Sequence, residues 1–160
     1  MRRVLLIDSA KCTGCETCVD ICSGSRTGAY SEHGSRIRIL KDEIAAIFIP
    51  TVCEQCREHP CTDACPVDAI RYDENLSIFN VAEESCTGCG ACETACPYHG
   101  LFLSDGLAIK CDLCKGEPAC VAACYPRALQ YLDVTEESIL ADLQSKMDRL
   151  NKIRILLSGT

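Results

Sequence analysis

A chain of 160 residues with a formal charge of −7 has room for one domain or two small lobes, and with five Tyr, three Phe and no Trp it cannot build a large aromatic core. Sixteen residues are cysteine, a density that would suit a secreted disulfide scaffold, yet Arg2 and Arg3 precede only Val4–Ile7 before Asp8, well short of the ~7–15 apolar residues of a secretion signal. No apolar run reaches membrane-spanning length and no dense Lys/Arg stripe exists for nucleic acid, so the expected location is a reducing cytoplasm, where dense cysteine means metal.

In chain order, Val4–Ile7 reads as a short strand, followed by the first cysteine block, Cys12, Cys15, Cys18 and Cys22. The Gly- and Ser-rich stretch Ser23–Ser35 predicts a loop, the widest irregular insertion in the chain. Strand candidates Ile37–Leu40 and Ile47–Ile49 lead to the second block, Cys53, Cys56, Cys61 and Cys65. Ile70–Tyr72 and Ser77–Phe79 separate it from the third, Cys86, Cys89, Cys92 and Cys96. Leu101–Leu103 and Leu107–Ile109 precede the fourth, Cys111, Cys114, Cys120 and Cys124, and Leu129–Leu132 closes the series. After the last cysteine of three blocks, the fourth and fifth residues are small then aliphatic: Ala69-Ile70, Gly100-Leu101 and Ala128-Leu129. One unit is therefore used repeatedly.

The tail changes character. Asp133 or Thr135 can cap a helix with acidic residues at its start and basic residues nearer its end, predicting a helix from about Thr135 to Leu156. Ile139, Leu143, Met147, Leu150, Ile153 and Leu157 recur at spacings of three or four and define one apolar face. Periodicity leaves open whether that face packs on the chain's own lobes, on a partner or on a second copy.

The blocks carry the chemistry. CTGCGACETACP reproduces the C-x2-C-x2-C-x3-C-P run of two-cluster ferredoxins, and the other blocks keep the C-x2-C opening and the x3 gap before the last cysteine. Three closely spaced thiols can wrap three corners of a cubane, with Gly14, Gly88 and Gly90 easing the curvature. The fourth ligates a partner cluster, so blocks work in pairs and the count predicts four [4Fe-4S] clusters. The simplest nesting pairs the middle blocks: Cys53, Cys56, Cys61 and Cys96 for cluster C, and Cys86, Cys89, Cys92 and Cys65 for cluster D. The outer blocks then pair as Cys12, Cys15, Cys18 and Cys124 for cluster A, and Cys111, Cys114, Cys120 and Cys22 for cluster B. Sequential pairing of blocks one with two and three with four is the rival. Zinc ribbons space two C-x2-C pairs by about 15–20 residues, unlike thiols crowded into single segments. His59 and His99 read as tuners of cluster potential, or all three histidines, His33 included, as ordinary surface-loop residues. No nucleophile–base pair, G-x-G-x-x-G or Walker loop is present in the sequence, and no output module marks a sensor.

With four blocks in this order, Val4–Leu132 resembles the four-cluster polyferredoxin subunits of molybdenum, tungsten and nickel enzymes. The short fourth block, C-x2-C-x5-C-x3-C, is most similar to compact members accompanying tungsten enzymes of the aldehyde oxidoreductase and benzoyl-CoA reductase type. The resemblance implies the nested pairing and an α+β fold of two ferredoxin-like lobes related by pseudo-twofold symmetry, one inserted in the other. The expected divisions are 1–40 with 105–133, 41–104, and a C-terminal helix at 134–160. It further implies a one-electron wire between a catalytic tungsten or molybdenum subunit and a second redox partner such as ferredoxin or a flavin-containing subunit. The alternatives are a freely diffusing polyferredoxin and a subunit of a formate dehydrogenase, hydrogenase or CO dehydrogenase.

Overall fold

The computed structural model describes residues 3–133 and 135–158. Among the described residues every strand finds one antiparallel partner, giving four two-stranded ribbons. β1 (Arg3–Ile7) pairs with β8 (Leu129–Asp133), from Arg3 opposite Asp133 to Ile7 opposite Leu129. β2 (Ile37–Asp42) pairs with β3 (Ile47–Val52), β4 (Ile70–Asp73) with β5 (Ile78–Val81), and β6 (Leu101–Ser104) with β7 (Leu107–Lys110). All eight expected strands form. β3 runs past Pro50, which the two-stranded ribbon tolerates because every strand in it is an edge.

The β1–β8 ribbon joins the two ends of the cysteine-bearing region. Block one follows β1 and block four precedes β8, so α1 (Thr17–Thr27) packs on α4 (Ala119–Ala123). Within the loop they span, α2 (Pro60–Asp63) packs on α3 (Ala91–Ala95). The expected boundaries after residues 40 and 104 fall within the β2–β3 and β6–β7 hairpins.

The stretch Ser23–Ser35 departs from the expected loop, because α1 continues through Thr27. Serine and threonine usually draw the backbone out of a helix, but here they bond back into it: Ser23 Oγ donates to Val19 O and Asp20 O, and Thr27 Oγ1 to Ser23 O. Ser23 is fully buried, and Arg26 is held by Asp112. Gly28, at φ 72°, ends the helix, its N–H donating to Gly24 O.

Two apolar clusters form the core, and cysteines belong to both. Ile7, Ile37, Val52 and Leu129 surround Cys22, Cys111 and Cys120, while Ile70 and Leu101 surround Cys61 and Cys92.

The terminal helix, α5 (Glu136–Ser158), starts at a reciprocal cap in which Ser138 N donates to Thr135 Oγ1 and Thr135 N to Ser138 Oγ. It packs on β1 and β3. The expected apolar face needs correction: Ile153 is buried, but Met147 is 61% exposed. The side chains of Ile139, Leu143 and Leu157 lie outside the described residues. Much of the inward face is polar, because it meets backbone carbonyls. Arg149, 1% exposed, donates to Ile7 O at 2.6 Å and pairs with the Glu54 carboxylate; Ser145 Oγ also donates to Ile7 O. Lys146 bridges Asp142 and Glu54 O, and Lys152 reaches Ser9 Oγ.

Candidate iron–sulfur sites

The C-x2-C segments share one backbone device. In all four, the residue immediately before the second cysteine has positive φ: Gly14 at 70°, Gln55 at 46°, Gly88 at 65° and Leu113 at 57°. Left-handed backbone turns the chain sharply between two thiols that must face a common centre. Only two of the four are glycine, so the tertiary structure imposes the turn where the sequence alone would not signal it. At Gly88 the requirement is doubled, since a Cβ would lie 2.0 Å from Gly106 O.

A second device serves the fourth cysteines. Asp68, His99 and Arg127, three residues after Cys65, Cys96 and Cys124, all have positive φ. In blocks two and three the next amide then points back at sulfur: Ala69 N donates to Cys65 Sγ at 3.3 Å and Gly100 N to Cys96 Sγ at 3.4 Å. This geometry accounts for the small residues there, since a Cβ on Gly100 would lie 2.2 Å from Val52 O. Block one departs from the pattern because α1 runs on, yet the bond is recovered when the chain returns and Arg36 N donates to Cys22 Sγ at 3.3 Å. Amides of Ala108 and Leu113 donate to Cys86 and Cys111.

Thiols from different blocks come together. A small apolar cavity is walled by Cys86, Cys89 and Cys92 of block three with Cys65 of block two, and by Ile70, Val81 and Ala108. After burial, the charge of Cys96 contributes to raising the pKa of Cys53, Cys56 and Cys61. Burial pushes Cys18 up to about 12, with further contributions from Cys120 and Cys124; Cys124 also acts on Cys12. Cys120 is likewise pushed up to about 12 by burial and then by Cys22 and Cys114. Cys111 is raised well above the usual thiol range by burial, with Cys53, Cys120 and Cys22 adding to it. Cys15 and Cys89 alone among the sixteen are exposed, and all sixteen are free of disulfides.

Charged side chains, which the sequence did not single out, enclose the middle of this arrangement. Asp112, between Cys111 and Cys114, pairs with Arg26 and with Arg36, the latter at 2.7 Å; Arg26 also donates to Cys114 Sγ at 3.2 Å. Burial alone would raise Asp112, but the Arg26 hydrogen bond, the Cys114 amide and the guanidinium charges outweigh it and hold the carboxyl below 3.8. Glu54, between Cys53 and Cys56, is 3% exposed; burial raises its pKa against the pull of Arg149 and Lys146. Lys110 is 4% exposed, and its Nζ donates to Phe79 O and Gln55 Oε1. Strand alternation did not signal it, because LAIK would turn its larger apolar residues Leu107 and Ile109 inward, whereas β7 buries Ala108 and Lys110. Of the histidines, His33 and His99 are exposed, while the His59 ring lies 4.1 Å from that of Phe79.

The donor set fits iron–sulfur clusters. Free thiols occur in groups drawn from two chain segments, and peptide amides donate to their sulfurs, an environment suited to thiolate ligands. Sixteen cysteines are the number needed to give four ligands to each of four [4Fe-4S] clusters, which when bound carry single electrons. No helix among the described residues is long and apolar enough to cross a membrane.

Family models and relatives of known sequence agree. The 4Fe-4S dicluster domain family matches residues 44–134 and a 4Fe-4S binding domain matches residues 9–28. The chain is 39% identical to the polyferredoxin-like subunit of aliphatic sulfonate oxidoreductase from Pyrococcus furiosus, over 76% of this chain and 70% of that one. It is 32% identical to the thiosulfate reductase electron transfer subunit of Salmonella typhi, over 85% and 78%. A solved structure of the benzoyl-coenzyme A reductase active site complex matches over 98% of this chain and 97% of its own at 25% identity, with a TM-score of 0.48. The chain thus belongs to the 4Fe-4S dicluster domain family, as a polyferredoxin-like electron-transfer protein of oxidoreductase systems.

Proposed function

We propose that the chain is a cytoplasmic wire in which clusters A and B sit in an outer ferredoxin-like lobe and clusters C and D in an inner one inserted within it, the two related by pseudo-twofold symmetry. The observation that carries the pairing is the cavity walled by three block-three thiols and Cys65. The nearness of Cys96 to block two, of Cys124 to Cys12 and Cys18, and of Cys22 to Cys120 supports the same assignment. The sequential rival would need Cys65 to join block one and Cys96 to join block four. The proposed order along the row is A, B, C, D, since Cys18 neighbours Cys120, Cys111 neighbours Cys53, and α2 packs on α3. Exposure of Cys15 at one end and Cys89 at the other supports the two ends as the points where electrons arrive and leave.

The proposed partners are a catalytic tungsten or molybdenum oxidoreductase subunit and a second redox protein, a ferredoxin or a flavin-containing subunit. The names of the sulfonate and thiosulfate relatives support an oxidoreductase partner. Anaerobic co-purification followed by metal analysis tests this: a large subunit with stoichiometric tungsten or molybdenum is the expected result, and isolation of the chain alone overturns it. A freely diffusing polyferredoxin is the second reading, favoured by the attachment of α5 to the chain's own body.

A further inference from the structure

Lys110 presents an electrostatic puzzle. Its ammonium is buried in the molecule, and among the described residues it forms no ion pair. Two nearby carboxylates are already engaged, Glu54 by Arg149 and Lys146, and Asp112 by Arg26 and Arg36. Its hydrogen bonds to Phe79 O and Gln55 Oε1 solvate the ammonium without neutralising it. A buried charge is costly unless something of opposite sign lies against it. What lies beside Lys110 is the block-two loop: Gln55, which accepts one of its hydrogen bonds, stands between Cys53 and Cys56, and the lysine charge acts on the Cys53 and Cys61 thiols.

We infer that Lys110 is a potential-setting residue whose counter-charge is cluster C itself; this rests on the four-cluster reading above. Four thiolates on a [4Fe-4S] core leave a net negative charge, and reduction adds another. Two opposed effects then act in the middle of the row. Burial of the thiols penalises the added electron, whereas a fixed cation held by Gln55 beside Cys53 favours it. Without the cation, the buried middle of the row would be a step uphill for an electron passing between the exposed ends. Lys110 offsets that penalty and keeps cluster C accessible. Its position one residue before Cys111, itself close to Cys53, puts it at the junction between clusters B and C.

The test is an anaerobic redox titration of the full-length, cluster-loaded protein followed by electron paramagnetic resonance. Cys56→Ala identifies the reduction step of cluster C, and Cys96→Ala must alter the same step if the nested pairing holds; different steps would refute the pairing without deciding about Lys110. Lys110→Gln, which can still donate a hydrogen bond, is expected to lower the equilibrium constant for that step about tenfold, or about 59 mV for one electron. Lys110→Arg should restore it, with iron content equal in all three proteins. An unmoved step in Lys110→Gln, or an equal fall in Lys110→Arg, overturns the inference. If Lys110→Gln sheds the cluster, Lys110→Met is measured in its place, and loss in both makes Lys110 a structural prop and overturns it as well.

Discussion

At the scale of single residues, positions without side chains and positions with buried charge carry the sites. Gly100 lies where the chain passes the β3 end, and its missing Cβ lets its amide reach Cys96 Sγ. Gly100→Ala is expected to cost about 1–3 kcal/mol by overpacking against backbone that cannot step aside, and to loosen cluster C first. Iron and sulfide analysis beside a thermal melt measures both effects. Asp112 offers a pH test. Its carboxyl is held below 3.8, so the folded state binds protons less readily than the unfolded chain, and its stabilisation is present at neutral pH and lost as pH falls through the folded value. The gap in urea midpoint between the native protein and Asp112→Asn should be full near pH 7 and close on acidification below about pH 4. A gap that widened on acidification would contradict the assigned direction.

At the scale of elements, α5 acts as a strap rather than an appendage. Its attachment runs through Arg149, which spans from Ile7 O in β1 to Glu54 in the cluster C loop. Removing one member of a buried pair strands the other, so Arg149→Met is expected to cost about 3–5 kcal/mol, more than the same change at exposed Arg154. Deleting residues after Asp133 strands Glu54 between Cys53 and Cys56, and cluster C should be the first lost, measured as a fall in iron and in its redox signal. The outward side of the same helix keeps Leu140, Met147 and Ile155 more than 60% exposed. If the full complex also loses its partner on truncation while Arg149→Met retains it, the outward side is what the partner touches.

At the scale of the whole molecule, folding and cofactor loading are expected to be coupled. Both apolar clusters include cysteines, the strands come only in pairs, and four helices have at most eleven residues. Metal bound to preorganised thiolates supplies folding free energy that such short elements lack. Stripping iron with a chelator under oxidising conditions should abolish cooperative thermal unfolding, and anaerobic reconstitution with iron and sulfide should restore it. A chelated protein that melted with an unchanged midpoint would show that the polypeptide stands without its clusters.

The local elements were legible in the sequence because each has a short-range cause. Eight short apolar runs became eight strands, sixteen cysteines marked the ligands, and Thr135 with the charge gradient after it placed α5 within two residues at each end. Three features were not legible. The continuation of α1 through SGSRT depends on hydroxyls bonding back into the helix and on Arg26 finding Asp112, a partner from the other end of the chain. The inward face of α5 is built on arginine, lysine and serine because what it meets is carbonyl and carboxylate, whereas apolar periodicity assumes a greasy neighbour. Lys110 reads as an ordinary strand-end lysine until β7 is laid beside β5 and the cluster C loop. The sequence by itself determined the candidate ligands and their number, because spacing along one chain governs which thiols can curl around a common point. Tertiary structure alone decided which thiols from distant blocks meet and which charges stand beside them, because electrostatic neighbours are set by distance through space and not along the chain.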